Sequence, residues 1–107
     1  MVAEKFWDEL SAWSQKTFGG DEVRGCIGPL KHLRKEVQEA IDAYEAGDVD
    51  GCNKEIVDCL FLSFDSARRA GLSFEQLFAM AFDKLKVNQE RQWSAPTTDE
   101  PVEHVRS

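Results

Sequence analysis

Two short acidic pairs, Glu36-Val-Gln-Glu39 and Glu55-Ile-Val-Asp58, have the residue types and spacing best able to do chemistry in this 107-residue chain. Residues three apart on a helix lie ~60° apart around its axis, so each pair presents two carboxylates side by side. The second pair sits in the run KEIVDCLFLSF, where Ile56, Val57, Leu60, Phe61 and Phe64 make a helix apolar over most of its circumference. Such a helix belongs in the middle of a bundle, and a charge there without a partner is costly. Adjacent antiparallel helices would set the two pairs face to face. Four converging carboxylates repel unless divalent cations sit among them, and Mg2+ takes oxygen ligands that it often shares with substrate phosphates. Either pair alone would be an ordinary solvated helix face; the two in register point to a site. His32 projects between Glu36 and Glu39, and Asp65 lies two turns beyond Asp58 on nearly the same line; both are further candidates.

The elements that must hold these residues read as helices, because apolar positions recur with the helical period and no segment alternates with period two. The first helix covers residues 4–18, with Phe6, Leu10, Trp13 and Thr17 on one stripe. A glycine-rich break, GGDEVRGCIGP, ends at Pro29, which suits a first helical turn. The second helix then runs to about Ala46 with Leu30, Leu33, Val37, Ile41 and Tyr44 on one face. A third starts near Asp50 or Asn53 and ends at a glycine cap, Gly71. Ser73 with Gln76 reads as the start of a fourth, which continues to about Trp93. The expectation is one all-α domain, residues 1–107: an antiparallel bundle of about four helices over residues 1–93 and an extended C-terminal tail over 94–107.

Composition narrows the classes. Hydrophobic residues make up 42% and charged residues 31%, a balance typical of a soluble globular chain. The net charge of −7 argues against binding a nucleic-acid polymer, so a nucleotide would need cations between it and the protein. No apolar run is long enough to span a membrane. The N-terminus lacks the pattern of a secretory signal, and Cys26, Cys52 and Cys59 form no paired framework, as in a reducing cytoplasm.

ExxE, a short gap and ExxD are together the signature of the MazG-like all-α nucleoside triphosphate pyrophosphohydrolases. The stretches GPLKHLRKEVQEAIDAYEAGD, EIVDCLFLSFDSARRAGLSFEQL, KLKVNQERQW and EPVEHVR resemble the dATP/dGTP pyrophosphohydrolase branch, known from bacteria and bacteriophages, over about residues 6–106. The resemblance implies Mg2+-dependent hydrolysis, with Mn2+ as a substitute, of nucleoside triphosphates such as dATP and dGTP. The products would be the monophosphate and pyrophosphate, through attack of water on the α-phosphorus. It implies that Glu36, Glu39, Glu55 and Asp58 are catalytic metal ligands and that the chain assembles with itself as a homodimer or homotetramer. Lys84, Asn88 and Arg91 share a helix face at i, i+4 and i+7. Spacing alone makes them a solvated stripe, and the matched stretch makes them substrate contacts. His104 and Arg106 fall in the matched tail and are candidates for a segment folding over the nucleotide.

Other chemistries fit poorly. GGDEVRG lacks the Gly-Lys-Ser/Thr ending of a phosphate loop, and neither Glu36 nor Glu55 has the histidine three residues on that a di-iron bundle requires. The competing reading is a non-enzymatic acidic helical dimer acting as an interaction module. It accounts for the charge and the helices but not for an aspartate interrupting an apolar helix in register with ExxE.

Overall fold

The computed structural model describes residues 1–95 and 98–105. Four helices follow in order, α1 (Val2–Phe18), α2 (Ile27–Glu45), α3 (Val49–Arg69) and α4 (Phe74–Glu90), then two short strands, β1 (Gln92–Trp93) and β2 (His104–Val105). The all-α class expected from the sequence holds. The chain divides into two compact units, Met1–Phe74 and Glu75–Ser107. Among the described residues, no helix is long and apolar enough to cross a membrane.

In the first unit, α2 and α3 form a tight antiparallel hairpin whose turn is dictated by sequence. Gly47 takes a positive φ of 82°, the conformation that ends a helix and that a side chain disfavours. Its N–H donates to Tyr44 O at 3.0 Å, while the Asp48 N–H reaches back to Ala43 O at 2.8 Å. These two bonds are the Schellman pattern that satisfies the last helical carbonyls. Asp48 at once starts the next helix, its Oδ1 accepting from the Gly51 N–H at 2.9 Å, an N-cap worth ~1 kcal/mol. At the far end Ser66 Oγ donates to Cys26 O at 2.9 Å, closing the hairpin at the start of α2. Helix α3 ends the same way: Gly71, φ 98°, donates to Arg68 O and Leu72 to Ala67 O.

Helix α1 is fastened to α3 by aromatic rings and by a polar knot. Phe6 stacks on Phe61 with centroids 5.2 Å apart and meets Phe64 edge-on, while Trp7 packs against Phe64 and Phe74. Such pairs contribute ~0.5–1.5 kcal/mol each beyond the area they bury. The inward line of α1 is Trp7, Leu10 and Ser14, rotated from the expected Phe6–Leu10–Trp13–Thr17 stripe; Trp13 is exposed. The rotation brings the Ser14 hydroxyl to Asp65 Oδ2 at 2.7 Å. Arg69, also buried, donates to Asp65 Oδ2, Ser14 Oγ and the carbonyls of Gly19 and Arg24. Arg68 bridges Asp65 to Asp21. The glycine-rich loop after α1 is thus held by guanidinium groups, which satisfy carbonyls that burial would otherwise leave costly.

In α2 the buried line runs through Pro29, Glu36 and Ala40, so the expected face of Leu30, Val37, Ile41 and Tyr44 is exposed instead. The reason is that the hairpin turn sets which side of α2 meets α3, and that side carries the glutamate.

In the second unit, α4 stops at Glu90 rather than Trp93. Asn88 O accepts from the Arg91 N–H at 3.3 Å and from the Trp93 indole Nε1–H at 2.8 Å, and with this carbonyl occupied the chain leaves the helix. The expected extended tail is paired back instead: β1 and β2 are antiparallel, with Gln92 opposite Val105 and Trp93 opposite His104.

Candidate active site

The α2–α3 turn sets the register of the acids. Glu39 lies six residues before the end of α2 at Glu45, and Glu55 six residues after the start of α3 at Val49. At 1.5 Å rise per residue both stand ~9 Å from the turn, and so come level across the helix pair. Glu36, Glu39 and Glu55 each bring one carboxylate oxygen to within 4.8 Å of the others. Glu36 is 9% exposed, an unusual position for a carboxylate that, among the described residues, has no Lys or Arg paired with it.

The electrostatics record this crowding. The carboxyl of Glu55 is pushed above its usual range, first by its hydrogen bond with the Glu36 side chain, then by burial and by the charges of Glu36 and Asp58. A hydrogen bond with Glu39 acts in the opposite direction. A Glu55–Glu36 hydrogen bond requires a proton between two groups that otherwise only accept. The neighbouring Cys59 thiol is also pushed up, by burial first and then by Glu36, Glu55 and Asp58. Asp58 itself lies one turn beyond Glu55, half-buried and outside the group of three, but its charge acts on the same centre.

These residues fit a hard divalent cation. All are oxygen donors, and an octahedral shell of ~2.1 Å radius holds oxygens ~3–4 Å apart, so a small closure of the three carboxylates suffices. Among the described residues Glu55 Oε2 is a buried atom with no hydrogen-bond partner, a state that normally signals a missing ion or water. On the outer side, His32 Nε2 lies 3.0 Å from Glu36 Oε1, and Lys35 reaches Glu39 only loosely at 4.0 Å.

Asp65 does not join this centre. Burial pulls its carboxyl upward, but hydrogen bonds from Ser14, Arg68 and Arg69 outweigh that and hold it below the ordinary range. Two guanidinium groups already neutralise it, so nothing is left for a metal. The signal was legible in the sequence, because Arg68 and Arg69 stand three and four residues after Asp65, where helix neighbours meet. Sequence reasoning passed over that local pairing, and it missed Ser14 and Asp21 because their partners, Asp65 and Arg68, are remote in the chain.

In the second unit Lys84 and Asn88 lie on α4, and Arg91 follows the helix end, its Nη1 donating to Asn88 Oδ1 at 3.4 Å. His104 on β2 meets the Trp93 ring edge-on at 5.7 Å, so it packs within the strand pair. Arg106 lies outside the described residues.

An Eaa protein of Salmonella phage P22 is 40% identical over 103 residues, which are 96% of this chain and 30% of that protein. The chain therefore spans less than a third of that relative's length. No solved structure matches. The whole pattern of paired acids, Lys84–Arg91 stretch and tail falls within residues 6–107, which match the family described as dATP/dGTP pyrophosphohydrolase. That match takes in nearly every residue, and it makes this chain a member of the dATP/dGTP pyrophosphohydrolase family.

Proposed function

We propose that the chain hydrolyses deoxynucleoside triphosphates, dATP and dGTP foremost, to the monophosphate and pyrophosphate, using Mg2+ or Mn2+ held by Glu36, Glu39, Glu55 and Asp58. The observation that carries this reading is the convergence of three carboxylates on a spot where one buried oxygen has no partner among the described residues. When bound, the cation supplies Lewis acidity toward phosphate oxygens, a more acidic water and a clamp on the triphosphate. The protein's own part is to hold the acids level across α2 and α3 so that no reorganisation is needed at reaction. One carboxylate of α2 orients the attacking water or takes its proton as the α-phosphorus is attacked. Lys84 and Arg91 contact phosphate oxygens, Lys as a point charge and Arg as a planar fork, and Asn88 serves sugar or water. The reaction belongs in a reducing cytoplasm, in keeping with three free cysteines.

The test is a panel of nucleoside triphosphates assayed for pyrophosphate with and without Mg2+. Release of pyrophosphate from the purine deoxynucleotides, abolished by chelation, is the expected result; orthophosphate release, or none at all, would count against the reading. Arg91→Ala is expected to lower kcat/KM by about tenfold or more, the loss of one charge-assisted contact, with helicity intact. Wild-type turnover in that variant would reduce the stripe to a solvated face.

Self-assembly belongs to the same proposal. Leu30, Val37, Ile41 and Tyr44 on α2, with Val49, Ile56, Val57 and Leu60 on α3, are each 43–64% exposed. Apolar surface on that scale marks an interaction face. Sedimentation at micromolar concentration should give at least a dimer, and an active monomer would refute it.

A further inference from the structure

We propose that His32 is a positioning residue for the acidic centre, donating from Nε2 to Glu36 so that this carboxylate is held in place before a cation arrives. The inference rests on the metal-dependent reading above and deepens it. His32 Nε2 and Glu36 Oε1 are 3.0 Å apart at i, i+4 on one helix, so both ends of the contact are fixed by the same rigid backbone. An ionised carboxylate can only accept, which makes Nε2 the protonated nitrogen whether or not the ring is charged. That nitrogen has no lone pair to offer a metal, and His32 is not among the residues whose ligand atoms converge, so through Nε2 it serves Glu36.

The need for such a donor follows from the surroundings of Glu36. Its side chain is 12% exposed, and its inward neighbour Glu55 is another acid, with a carboxylate oxygen within 4.8 Å of one on Glu36. Without a partner on its outer side, the Glu36 carboxylate has no group to fix its orientation toward the centre. A hydrogen bond from His32 occupies one oxygen from outside and leaves the other for the cation. The partners of ligating groups set their orientation in this way, and losing one typically costs ~10–100-fold in metal affinity or activity. The His32 side chain is 39% exposed, so its removal opens no core cavity and the consequence should appear in binding rather than in folding.

The experiment is calorimetric titration of the metal-free protein with Mn2+ for wild type, His32→Ala and His32→Gln, with kcat and KM measured alongside. His32→Ala is expected to weaken Mn2+ binding about tenfold or more while its metal-free melting stays at the wild-type value. His32→Gln should retain most of the affinity, because a glutamine can donate to an acid four residues on. If His32→Ala binds Mn2+ like wild type, or His32→Gln is as weak as His32→Ala, positioning by this hydrogen bond is wrong while the metal centre stands. A wild-type chain that binds no Mn2+ removes both readings.

Discussion

Replacing Asp58 by asparagine is expected to lower turnover by ~10²–10³-fold while leaving the protein folded. Asparagine keeps the size of the side chain and removes the charge that a hard cation needs. A bound cation contributes several kcal/mol of transition-state stabilisation, and each 1.36 kcal/mol lost is about tenfold in rate. Glu36→Gln, Glu39→Gln and Glu55→Gln should fall in the same class. Glu45→Gln, at the end of α2 and exposed, should not. Metal-free stability should move the opposite way from activity. Asp58 helps push up the Glu55 carboxyl, so neutralising it relieves repulsion, and the Asp58→Asn variant should melt no lower than wild type without cation. Turnover at saturating Mg2+ beside a metal-free melting curve reads both effects. Near-normal turnover would remove Asp58 from the centre.

The largest effect on stability is expected at Arg69. Its side chain is fully buried and ties Asp65, Ser14, Gly19 and Arg24 together. Arg69→Met would leave a buried carboxylate with one guanidinium fewer and several carbonyls unpaired, a loss of ~3–5 kcal/mol. Against a total of ~5–15 kcal/mol for a domain, that lowers Tm by on the order of 10–30 °C. Asp65 adds a dependence on pH with a definite sign. Its folded pKa lies below the ordinary 3.8, so its contribution is complete above that value. The contribution is lost as pH falls through the depressed folded value, because the unfolded chain then takes up the proton first. Asp65→Asn should therefore be less stable at neutral pH and show a shallower acid limb. Urea unfolding at pH 7 and at pH 3 measures both, and an Arg69→Met variant as stable as wild type would contradict the role given to the knot.

The parts of the molecule legible in the sequence are those set by local chemistry. Gly47 and Gly71 stop helices because they supply positive φ, and the periodicity of the apolar positions gives the four helices, although α3 starts at its cap Asp48 rather than near Asp50 or Asn53. The pairing of Glu36 and Glu39 with Glu55 was equally legible, since a short turn between helices leaves little freedom of register. What was not legible is which face of α2 turns inward. Periodicity picked the Leu30–Tyr44 stripe as core, whereas the inward side carries Glu36 and the apolar stripe is exposed. Under the self-assembly proposed above, the apolar stripe is covered by a partner, so an apolar stripe and a buried stripe need not coincide. Asp65 was misplaced for a different reason: its position on the acidic line was weighed without the arginines three and four residues on, and its third partner, Ser14, lies 51 residues away. The end of α4 was overrun because the Trp93 indole bond to Asn88 O, which terminates the helix, is a side-chain event that propensity does not encode.

In the function proposed above, carboxylates on α2 and α3, with a divalent cation, direct water to the α-phosphorus of a deoxynucleoside triphosphate. The most direct measurement is hydrolysis of dATP or dGTP in ¹⁸O-labelled water with Mg2+, with both products weighed by mass spectrometry. One substrate and one water yield one monophosphate and one pyrophosphate, and the new P–O bond forms on the phosphorus that is attacked. The expected result is a single ¹⁸O in the monophosphate, unlabelled pyrophosphate, and no products when Mg2+ is chelated. Label in the pyrophosphate, release of orthophosphate, or hydrolysis that persists without divalent cation would contradict it.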